Sequence, residues 1–318
     1  MTHMRTEIIK LNKRNLKKTL QRAAEHLSQG ELVVFPTETV YGIGANALNE
    51  KAVKKIFAAK GRPADNPCIV HIAELRQLKV LAENVNPLEK KLAKKFWPGP
   101  LTIILKKKKN ISRIVSGGLS TVAVRMPRHT FARSLITAVG APLAAPSANL
   151  SGRPSGTTAK DVYADLKGKV PLIIDAGPTA IGLESTVVKI KGNKIYILRP
   201  GAVTKETLEK KVGIPAIYAR GRALRASPGT RYRHYAPRAK VEILENASVL
   251  AQRAEDLKKK KIKFGTLKYK NLKLMSRNLY ADLRKLDRRG ARVILALAPK
   301  ESGLGFAISD RLARASVR

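Results

Sequence analysis

The sequence predicts an α/β protein: a twisted mixed sheet with helices, followed by a small C-terminal α/β (Rossmann-like) domain. Over the first 200 residues, short apolar runs alternate with segments of helical periodicity. The runs 186–190 and 195–198 flank Gly192-Asn193, a pair that suits the tight turn of a β-hairpin. A hairpin supplies antiparallel neighbours and helical crossovers supply parallel ones, so the sheet is expected to be mixed.

Three helix predictions rest on terminal signals as well as on periodicity. Residues 15–29 place leucines and alanines at helical spacing, and Gly30 can close this helix in a left-handed conformation. Asn49 is a suitable N-cap for a second helix, which is expected to end at Gly61. A third helix begins at Pro87, because proline is favoured at the first helical position.

The predicted strands are short apolar runs bounded by polar or glycine-rich stretches. Besides the hairpin, they cover residues 32–35, 68–72, 101–105, 122–124, 143–145 and 172–174. The first run breaks into the stretch 36–46, P-T-E-T-V-Y-G-I-G-A-N. We expect this stretch to be a turn that offers backbone N–H groups and short donors to a small anion, although a tight structural connection would look the same.

A change of composition divides the chain. Residues 219–238 are rich in Pro, Gly and Arg and lack hydrophobic periodicity, which is typical of a tether. We therefore place a first domain at 1–203, a linker at 204–238 and a second domain at 239–318. The second domain alternates predicted strands at 241–244, 263–267 and 292–298 with predicted helices at 248–257, 278–286 and 304–315.

Net charge is the unusual feature of the composition. The chain has 63 Lys and Arg against 23 Asp and Glu, a formal net charge of +40. Such an excess attracts nucleic acid or polyphosphate. Lysine runs such as 106–109 and 258–261 are equally consistent with a solvated surface of the kind found in thermophiles. Charge alone therefore leaves nucleic-acid contact open.

Several classes of protein are excluded or disfavoured. The single cysteine, Cys68, excludes an intramolecular disulfide framework and a zinc ribbon built on cysteine pairs. No apolar run approaches the roughly 20 residues that a membrane helix requires, and the first residues lead into no apolar signal region. We expect a cytoplasmic protein without membrane association.

Three motifs follow one another along the first domain. The P-T-E-T sequence at 36–39 precedes Lys60-x-Arg62, which precedes Ser147-x-Asn149. Each has an ordinary explanation, such as a charge pair at a helix end or a polar turn with a capping serine. Their combination resembles the YrdC/Sua5 family, and the extension beyond residue 200 resembles its two-domain Sua5 form. The resemblance covers nearly the whole chain.

The resemblance implies a YrdC-like catalytic domain with L-threonylcarbamoyladenylate synthase activity. In that family L-threonine, bicarbonate and ATP become threonylcarbamoyl-AMP and pyrophosphate, and a threonylcarbamoyl transferase complex then forms threonylcarbamoyladenosine (t6A) at position 37 of tRNA. Mg²⁺ would accompany the ATP phosphates and need few protein ligands. Fixed cations and N–H groups would neutralise charge at the α-phosphate and on pyrophosphate.

The resemblance also assigns the site residues, none of which is expected to bind a metal. The catalytic set is Lys60, Arg62, Ser147 and Asn149. ATP binding is expected at Arg62, Asn66, Thr121, Ser147, Ser155, Arg199, His234 and Tyr235. Threonine binding is expected at Thr39, His71, Arg125, Ala145 and Ser185.

Arg125 and His71 can also be weighed without the resemblance. Thr121 and Arg125 are four residues apart on a predicted strand, so their side chains point to one face. An arginine on an otherwise apolar face is costly unless it is paired, and by resemblance Arg125 pairs with the threonine carboxylate. A lone histidine ending a strand is more often a structural hydrogen bonder than a catalyst, whereas the resemblance places His71 against the substrate.

The linker contains a further motif. Residues 227–237, S-P-G-T-R-Y-R-H-Y-A-P, are close to the Sua5 linker pattern S-P-G-M-[KR]-Y-[KR]-H-Y-[AS]-P and depart from it mainly at Thr230. In that family the linker folds over the active site. The resemblance implies a lid in which His234 and Tyr235 cap the nucleotide and exclude water from a hydrolysable mixed anhydride. The C-terminal domain is short for this family and is assigned no chemistry.

Two other functions compete with the synthase. A basic RNA-binding module could use the same scaffold without turnover, but nucleic-acid affinity requires charge and not a threonine pocket. A carbamoyl transferase of the hydrogenase-maturation type contains a YrdC-like domain together with cysteine zinc fingers and an acylphosphatase-like domain. This chain has one cysteine and no room for both additions.

Overall fold

The computed structural model describes residues 4–229 and 234–317, so Thr230 to Arg233 of the predicted lid lie outside the described residues. The strands are β1 (Glu7–Lys10), β2 (Val33–Phe35), β3 (Gly42–Asn46), β4 (Ile69–His71), β5 (Leu101–Lys106), β6 (Thr121–Arg125), β7 (Leu143–Ala144), β8 (Leu172–Asp175), β9 (Thr186–Lys191), β10 (Lys194–Arg199), β11 (Ala216–Tyr218), β12 (Lys240–Leu244), β13 (Phe264–Leu267) and β14 (Val293–Leu297). The α-helices are α1 (Leu16–Ser28), α2 (Glu50–Lys60), α3 (Leu78–Leu81), α4 (Pro87–Phe96), α5 (Arg113–Ser116), α6 (Thr130–Val139), α7 (Ala159–Leu166), α8 (Lys205–Val212), α9 (Ala247–Lys259), α10 (Leu272–Arg288) and α11 (Leu304–Ser316).

Strands β1 to β11 form one mixed sheet, in the order β1-β8-β2-β3-β7-β4-β6-β5-β9-β10-β11. β9 and β10 are antiparallel around Gly192 and Asn193, as the hairpin signature predicts. β4 runs parallel to β6, and β5 runs parallel to β9. The predicted mixed sheet is therefore confirmed. Within the described ranges, no helix combines the length and the apolar character needed to cross a membrane.

Helices cover both faces of this sheet. The neighbouring β2 residues Val33 and Val34 belong to different apolar cores, because successive side chains of a strand point to opposite faces. The core around Val34 includes Ile56 of α2 and Leu92 of α4, whereas the core around Val33 includes Leu27 of α1. Packing on both faces fixes the strand ends, and with them the loops that form the site.

The helix signals in the sequence correspond to observed caps. Asn49 caps α2, where its side chain accepts a hydrogen bond from the Ala52 N–H at 3.1 Å. α2 ends at Gly61, which has a left-handed φ of +59°. α4 starts at Pro87 as predicted. Such caps satisfy backbone N–H groups that a helix leaves unpaired at its start, and the cap of α2 places Arg62 just beyond the end of that helix.

The stretch 36–46, predicted as a turn, is a turn only in its first half. Its second half is strand β3, which pairs with β2. Ile43 and Ala45 are buried on one face of β3, but the intervening glycines hide this alternation in the sequence. Gly44 has a packing reason, because a Cβ there would lie 2.6 Å from the Phe35 ring. Strand β1 and helices α6 and α7 also lack a sequence-based prediction.

Part of the predicted linker is regular structure. Between residues 204 and 218 the chain forms α8 and β11, and β11 runs parallel to β10 at the edge of the large sheet. The Arg220 to Ala226 region contains a 3₁₀ turn, and no strand or α-helix lies in the described residues from 219 to 239. The irregular part of the linker thus begins where the hydrophobic periodicity ends.

The C-terminal domain has its own parallel sheet in the order β12-β14-β13. With α9, α10 and α11 this sheet forms the small α/β domain that the sequence predicts. α10 starts at Leu272, earlier than the predicted residue 278, because Asn271 caps it by accepting a hydrogen bond from the Leu274 N–H at 2.9 Å. The structure thus extends the predicted helix at its N-terminal end.

Helix α10 attaches this domain to the first one. Arg284 Nη2 lies 2.6 Å from Asp165 Oδ2 of α7, and both side chains are buried. Arg288 Nη1 lies 3.0 Å from Asp161 Oδ1 of the same helix. Buried ion pairs of this kind fix an orientation as well as a contact, so the C-terminal domain has a defined position beside the loops of the large sheet.

Candidate active site

A small cavity lies where several strands of the large sheet meet their loops, and residues of the linker cover it. Its volume is about 50 Å³. It brings together the predicted site residues Thr39, Arg62, His71, Arg125, Ala145, Ser147, Asn149, Ser155, Ser185, Arg199, His234 and Tyr235. It is also lined by residues with no predicted role, among them Thr37, Tyr41, Gly42, Pro146, Glu184, Pro228 and Gly229. Lys60, Asn66 and Thr121 are not among the lining residues.

The turn after β2 is held by its own threonine. Thr37 Oγ1 donates to the Val40 carbonyl at 2.6 Å and accepts from the N–H groups of Thr39 and Val40. These two N–H groups are therefore engaged inside the turn, contrary to the expectation that the turn offers them to an anion. The Thr39 hydroxyl, which lies 2.9 Å from Thr37 Oγ1, faces the cavity instead.

Arg125 ends β6 and is 3% exposed. Its Nη1 donates to Thr39 Oγ1 at 2.8 Å, and its Nη2 lies 2.8 Å from Glu38 Oε1. Burial raises the pKa of Glu38, but the Arg125 guanidinium outweighs that effect and holds the pKa of this carboxyl below its ordinary value. The sequence gives no sign of this pair, because the two residues are far apart along the chain.

His71 ends the neighbouring strand β4 and is buried beside Arg125. Burial, and then the charge of Arg125, lower the pKa of His71 to about 3. The imidazole is therefore neutral near pH 7. Its Nδ1 has no hydrogen-bond partner within the described residues, so this wall of the cavity carries a buried polar atom that a ligand could satisfy.

Lys60 lies behind the cavity wall. Its Nζ donates to the carbonyls of Ser147 and Asn149, at 2.5 Å each. Burial, and then the nearby Arg62, lower the pKa of Lys60 to about 7. The lysine thus fixes the loop after β7 against the end of α2, and its described contacts are with the protein rather than with the cavity.

Arg62 reaches the cavity from the residues just after α2. Its Nη2 donates to Asn66 Oδ1 at 2.8 Å and to the Pro67 carbonyl at 2.7 Å, and its Nε donates to the Asn66 carbonyl at 3.1 Å. Asn66 is buried and acts on the guanidinium rather than on the cavity itself. The structure thus places Asn66 behind the arginine, one contact away from the cavity.

Ser147 and Asn149 lie in the loop after β7. Asn149 Nδ2 donates to the carbonyls of Leu150 and Arg153, at 2.7 Å and 3.0 Å, whereas its Oδ1 is buried without a hydrogen-bond partner in the described chain. A fixed amide with an unused oxygen at a cavity is suited to orienting a ligand. Ser147 is joined to Gly42 of β3 by an isolated β-bridge.

Ser185 and Arg199 line the cavity and contact each other. Ser185 Oγ lies 2.7 Å from Thr102 Oγ1 of β5 and accepts from Arg199 Nη2 at 3.2 Å. Arg199 also donates to the Ser185 carbonyl at 3.0 Å and, through Nη1, to the Pro228 carbonyl of the linker at 3.0 Å. This arginine therefore connects the sheet to the segment that covers the cavity.

Glu184 is a site residue that the sequence analysis missed. It lines the cavity, and its Oε1 accepts from Ser155 Oγ at 2.5 Å. Its Oε2 accepts from Tyr280 and Arg311 of the C-terminal domain. Burial raises the pKa of Glu184, but Arg311 and then Arg199 hold it below its ordinary value, so the carboxylate is ionised. No motif marks Glu184, because its partners lie up to 127 residues away.

The described part of the linker covers the cavity with His234 and Tyr235. The His234 ring is buried, and burial followed by the charge of Arg62 lowers its pKa to about 3. The lid is anchored after this pair by the Ala236 N–H, which donates to the Gly152 carbonyl at 2.9 Å. Tyr235 adopts a φ of +64°, which is unusual for a residue other than glycine.

Thr121 is not brought to the cavity. It lies at the start of β6, opposite Lys106 of β5, whereas Arg125 lies at the end of β6. The four intervening steps of a strand span about 13 Å. Thr121 and Arg125 therefore share a strand, but only Arg125 reaches the site.

The types of side chain at the cavity decide how it could hold a metal ion. Across residues 4–229 and 234–317, no three His, Cys, Asp or Glu side chains form a cluster that could hold a metal ion. The two carboxylates closest to the cavity, Glu38 and Glu184, each face an arginine. The described residues thus offer hydroxyl and amide oxygens at the cavity and no free pair of carboxylates.

The fold and the site together define an α/β protein whose mixed sheet carries a lid-covered cavity of arginines, hydroxyls and an amide. Residues 25–201 match the Sua5/YciO/YrdC family model, described as "Telomere recombination". Residues 203–317 match the model of the threonylcarbamoyl-AMP synthase C-terminal domain. The chain therefore belongs to the Sua5/YciO/YrdC family, in the two-domain form that its motifs predict.

Similar proteins cover both domains. The threonylcarbamoyl-AMP synthase of Pyrococcus abyssi is 45% identical over an alignment that spans 98% of each chain. The threonylcarbamoyl-AMP synthase of Bacillus subtilis is 42% identical over 93% of this chain and 92% of its own. The crystal structure of P. abyssi Sua5 complexed with L-threonine superposes with a TM-score of 0.92 at 45% identity and covers 98% of both chains. The predicted family membership and the predicted fold class are confirmed.

Proposed function

We propose that this chain synthesises L-threonylcarbamoyl-AMP from L-threonine, bicarbonate and ATP, with release of pyrophosphate. One observation carries the proposal: all five residues expected to bind threonine and six of the eight expected to bind ATP line the same covered cavity. An adenylating enzyme requires this continuity, because a substrate oxygen has to reach the α-phosphorus of ATP. The relatives named as threonylcarbamoyl-AMP synthases match both domains of the chain.

On the threonine side, Arg125 receives the substrate carboxylate. Thr39 and Glu38 already orient its guanidinium, so little side-chain freedom is lost when the substrate binds. His71 contributes a neutral imidazole with an unpaired Nδ1. Ser185 supplies a hydroxyl and Ala145 a small apolar contact. The relative crystallised with L-threonine supports this substrate.

On the nucleotide side, Arg62 and Arg199 neutralise the phosphates, and Ser147, Asn149 and Ser155 supply short polar groups between them. Lys60 and Asn66 act indirectly. Lys60 holds the loop of Asn149, and Asn66 holds the guanidinium of Arg62. We assign Thr121 no contact with the reacting atoms.

The chemical step joins two substrates that the cavity holds together. The threonine amine and bicarbonate form a carbamate with loss of water. A carbamate oxygen then attacks the α-phosphorus while the bond to the pyrophosphate oxygen breaks. Arg62 and Arg199 stabilise the charge that moves onto the departing pyrophosphate. His234 and Tyr235 cover the site and exclude water from the mixed anhydride product.

Mg²⁺ is proposed to arrive with the ATP phosphates. The carboxylates of Glu38 and Glu184 are already paired with arginines, whereas phosphate oxygens and water suit a small hard cation. When bound, the ion would supply additional neutralisation of phosphate charge.

The product supplies the t6A modification of tRNA at position 37. We propose that a threonylcarbamoyl transferase complex consumes the adenylate, and that the protein works in the cytoplasm. The net charge of +40 supports direct contact with tRNA as well. Direct contact would bring the source of the labile adenylate close to the RNA that receives its threonylcarbamoyl group.

Pyrophosphate release tests the proposal. ATP and Mg²⁺ are incubated with the protein, and threonine and bicarbonate are added separately and together. We expect release only when both are present, and threonylcarbamoyl-AMP should then be detected by mass spectrometry. Release that is indifferent to threonine would overturn the proposal, and RNA binding would become the leading function.

A further inference from the structure

Arg311 of α11 is a completely buried arginine whose contacts cross to the catalytic domain. Its Nε donates to Glu184 Oε2 at 3.0 Å, and its Nη2 donates to the Pro200 carbonyl at 2.9 Å. Burying a guanidinium is costly unless its hydrogen bonds are satisfied. Here two of them go to residues that adjoin the site residues Ser185 and Arg199.

Tyr280 of α10 approaches the same carboxylate. Its hydroxyl donates to Glu184 Oε2 at 2.8 Å, and the residue is fully buried. Glu184 thus accepts two donors from the C-terminal domain on one oxygen and Ser155 on the other. A carboxylate with all of these bonds has one orientation, which places the Ser155 hydroxyl in the cavity wall.

The same two residues hold the lid. The Tyr235 ring stacks on Tyr280 with ring centroids 5.4 Å apart, and the Arg311 guanidinium lies 5.1 Å from the Tyr235 centroid. Tyr235 is therefore clamped between a ring and a cation of the C-terminal domain. These contacts offset the cost of its left-handed backbone.

We infer that Arg311 and Tyr280 are positioning residues for the reaction. Through Glu184 they position the Ser155 hydroxyl in the cavity wall, and through Tyr235 they position the lid. The inference rests on the proposed function. Neither residue lines the cavity, so their effect is on the placement of groups that do. The C-terminal domain thereby completes a site whose binding residues belong to the rest of the chain.

The test compares two conservative variants with two controls in the full-length protein. Tyr280→Phe removes only the hydroxyl bond to Glu184 and keeps the ring under Tyr235. Arg311→Lys keeps the positive charge, but an ammonium group lacks the planar guanidinium that donates to Glu184 and to the Pro200 carbonyl together. Tyr269→Phe is the matched control, because Tyr269 also donates to a carboxylate of its own domain, at 2.8 Å from Asp282. Arg288→Gln removes an interdomain contact that involves neither Glu184 nor Tyr235.

The measurements are kcat and KM for ATP from pyrophosphate release, together with the melting temperature. We expect Tyr280→Phe to lower kcat/KM about tenfold, the value of one hydrogen bond to a charged group. Arg311→Lys should lose at least as much. Both controls should retain wild-type kinetics, even where they lower the melting temperature by a similar amount.

A double mutant separates positioning from general destabilisation. If Tyr280 acts through Glu184, adding Tyr280→Phe to Glu184→Gln should cause little further loss. Independent, additive losses would overturn the inference, as would kinetics of Tyr280→Phe equal to those of Tyr269→Phe. Wild-type protein without threonine-dependent release would instead count against the proposed function, so the two failures are distinguishable.

Discussion

Arg62 is the cation that the structure places most directly between the cavity and the loop after α2. Arg62→Ala should reduce pyrophosphate release by about a hundredfold or more, because it removes charge stabilisation that the transition state requires. The control is Arg76→Ala, which removes an exposed arginine paired with Glu74. Initial rates at saturating substrates measure the effect. Release within a few-fold of the wild type would show that Arg62 is not part of the phosphate site.

His71 makes the stability of the protein depend on pH. Its pKa is about 3 in the folded protein against an ordinary value of 6.5, so between these values the unfolded chain binds a proton that the folded chain does not. Stability is therefore fully present above pH 6.5 and is lost as the pH falls, by up to about 1.4 kcal/mol per pH unit.

His71→Gln should remove this dependence. Between pH 7 and pH 4.5 we expect the variant to lose about 2 to 3 kcal/mol less of its unfolding free energy than the wild type does. Denaturant titrations at the two pH values measure the difference. Parallel losses in both proteins would show that His71 titrates normally in the fold.

At this scale the sequence predicts residues that belong to motifs and misses their partners. Lys60, Arg62 and Asn149 can be found because each stands in a short recognisable pattern. Glu184 cannot, because it stands in no motif and its partner Arg311 lies far away in the chain. Glu38 stands in the P-T-E-T motif, but nothing in that motif indicates its pairing with the distant Arg125. Thr121 lies on the predicted strand but does not line the cavity, and its contact with ATP stays a prediction.

At the scale of elements, the loop from Asp65 to Pro67, which supplies the acceptors of Arg62, packs closely against Gly117. Gly117 and Gly118 both have left-handed φ values, of +58° and +78°. A Cβ on Gly117 would overlap the Asp65 carbonyl, whereas nothing lies within 4 Å of a Cβ on Gly118. We expect Gly118→Ala to cost about 1 kcal/mol of backbone strain. Gly117→Ala should cost clearly more and also raise KM for ATP, since the displaced loop supplies the acceptors of Arg62.

Unfolding free energies and ATP kinetics of the two glycine variants check this prediction. The pair is matched in backbone conformation and differs only in crowding. Equal stability and equal kinetics would mean that the loop from Asp65 to Pro67 adapts freely and does not fix the arginine.

The N-cap of α2 provides a second element-scale prediction. Asn49→Ala removes the acceptor of the Ala52 N–H and should cost about 1 kcal/mol of stability, whereas Asn49→Asp retains an acceptor and should cost a few tenths. Denaturant titration distinguishes the two. If both variants lost the same amount, the side-chain bond would not be the source of the stability.

Elements with strong terminal signals or a clear apolar run are the ones that the sequence predicts. α2, α4 and the β9–β10 hairpin have caps or turn residues that act locally. β3 is obscured because two of its five residues are glycines, which the close approach of Phe35 requires at Gly44. The reason for such a residue lies on another strand, where local propensity cannot show it.

For the molecule as a whole, the net charge of +40 predicts salt-sensitive association with polyanions. We expect direct tRNA binding to weaken at least about tenfold between 50 and 200 mM salt. Fluorescence anisotropy of labelled tRNA measures this. Arg62→Ala should leave the affinity unchanged, because Arg62 faces a covered cavity. Affinity that is independent of salt would exclude an electrostatic interface.

The relative placement of the two domains is the feature of the structure that the sequence predicts least. The presence and class of both domains follow from alternating patterns and motifs. Their relative placement depends on Arg284, Arg311 and Tyr280, which look like ordinary helical residues along the chain. Interdomain contacts carry no local signal, because the residues beside each partner in the sequence do not indicate what it contacts.

The volume under the lid has a consequence for timing. A space of about 50 Å³ is much smaller than a site that holds a nucleotide, so the residues that cover the cavity have to move when a nucleotide binds. Moving Pro228 and Tyr235 away from the cavity would break the Arg199 bond to the Pro228 carbonyl and the stacking of Tyr235 on Tyr280. Each turnover therefore includes the loss and the return of both contacts, and a variant that weakens either contact is expected to change the rate of product release.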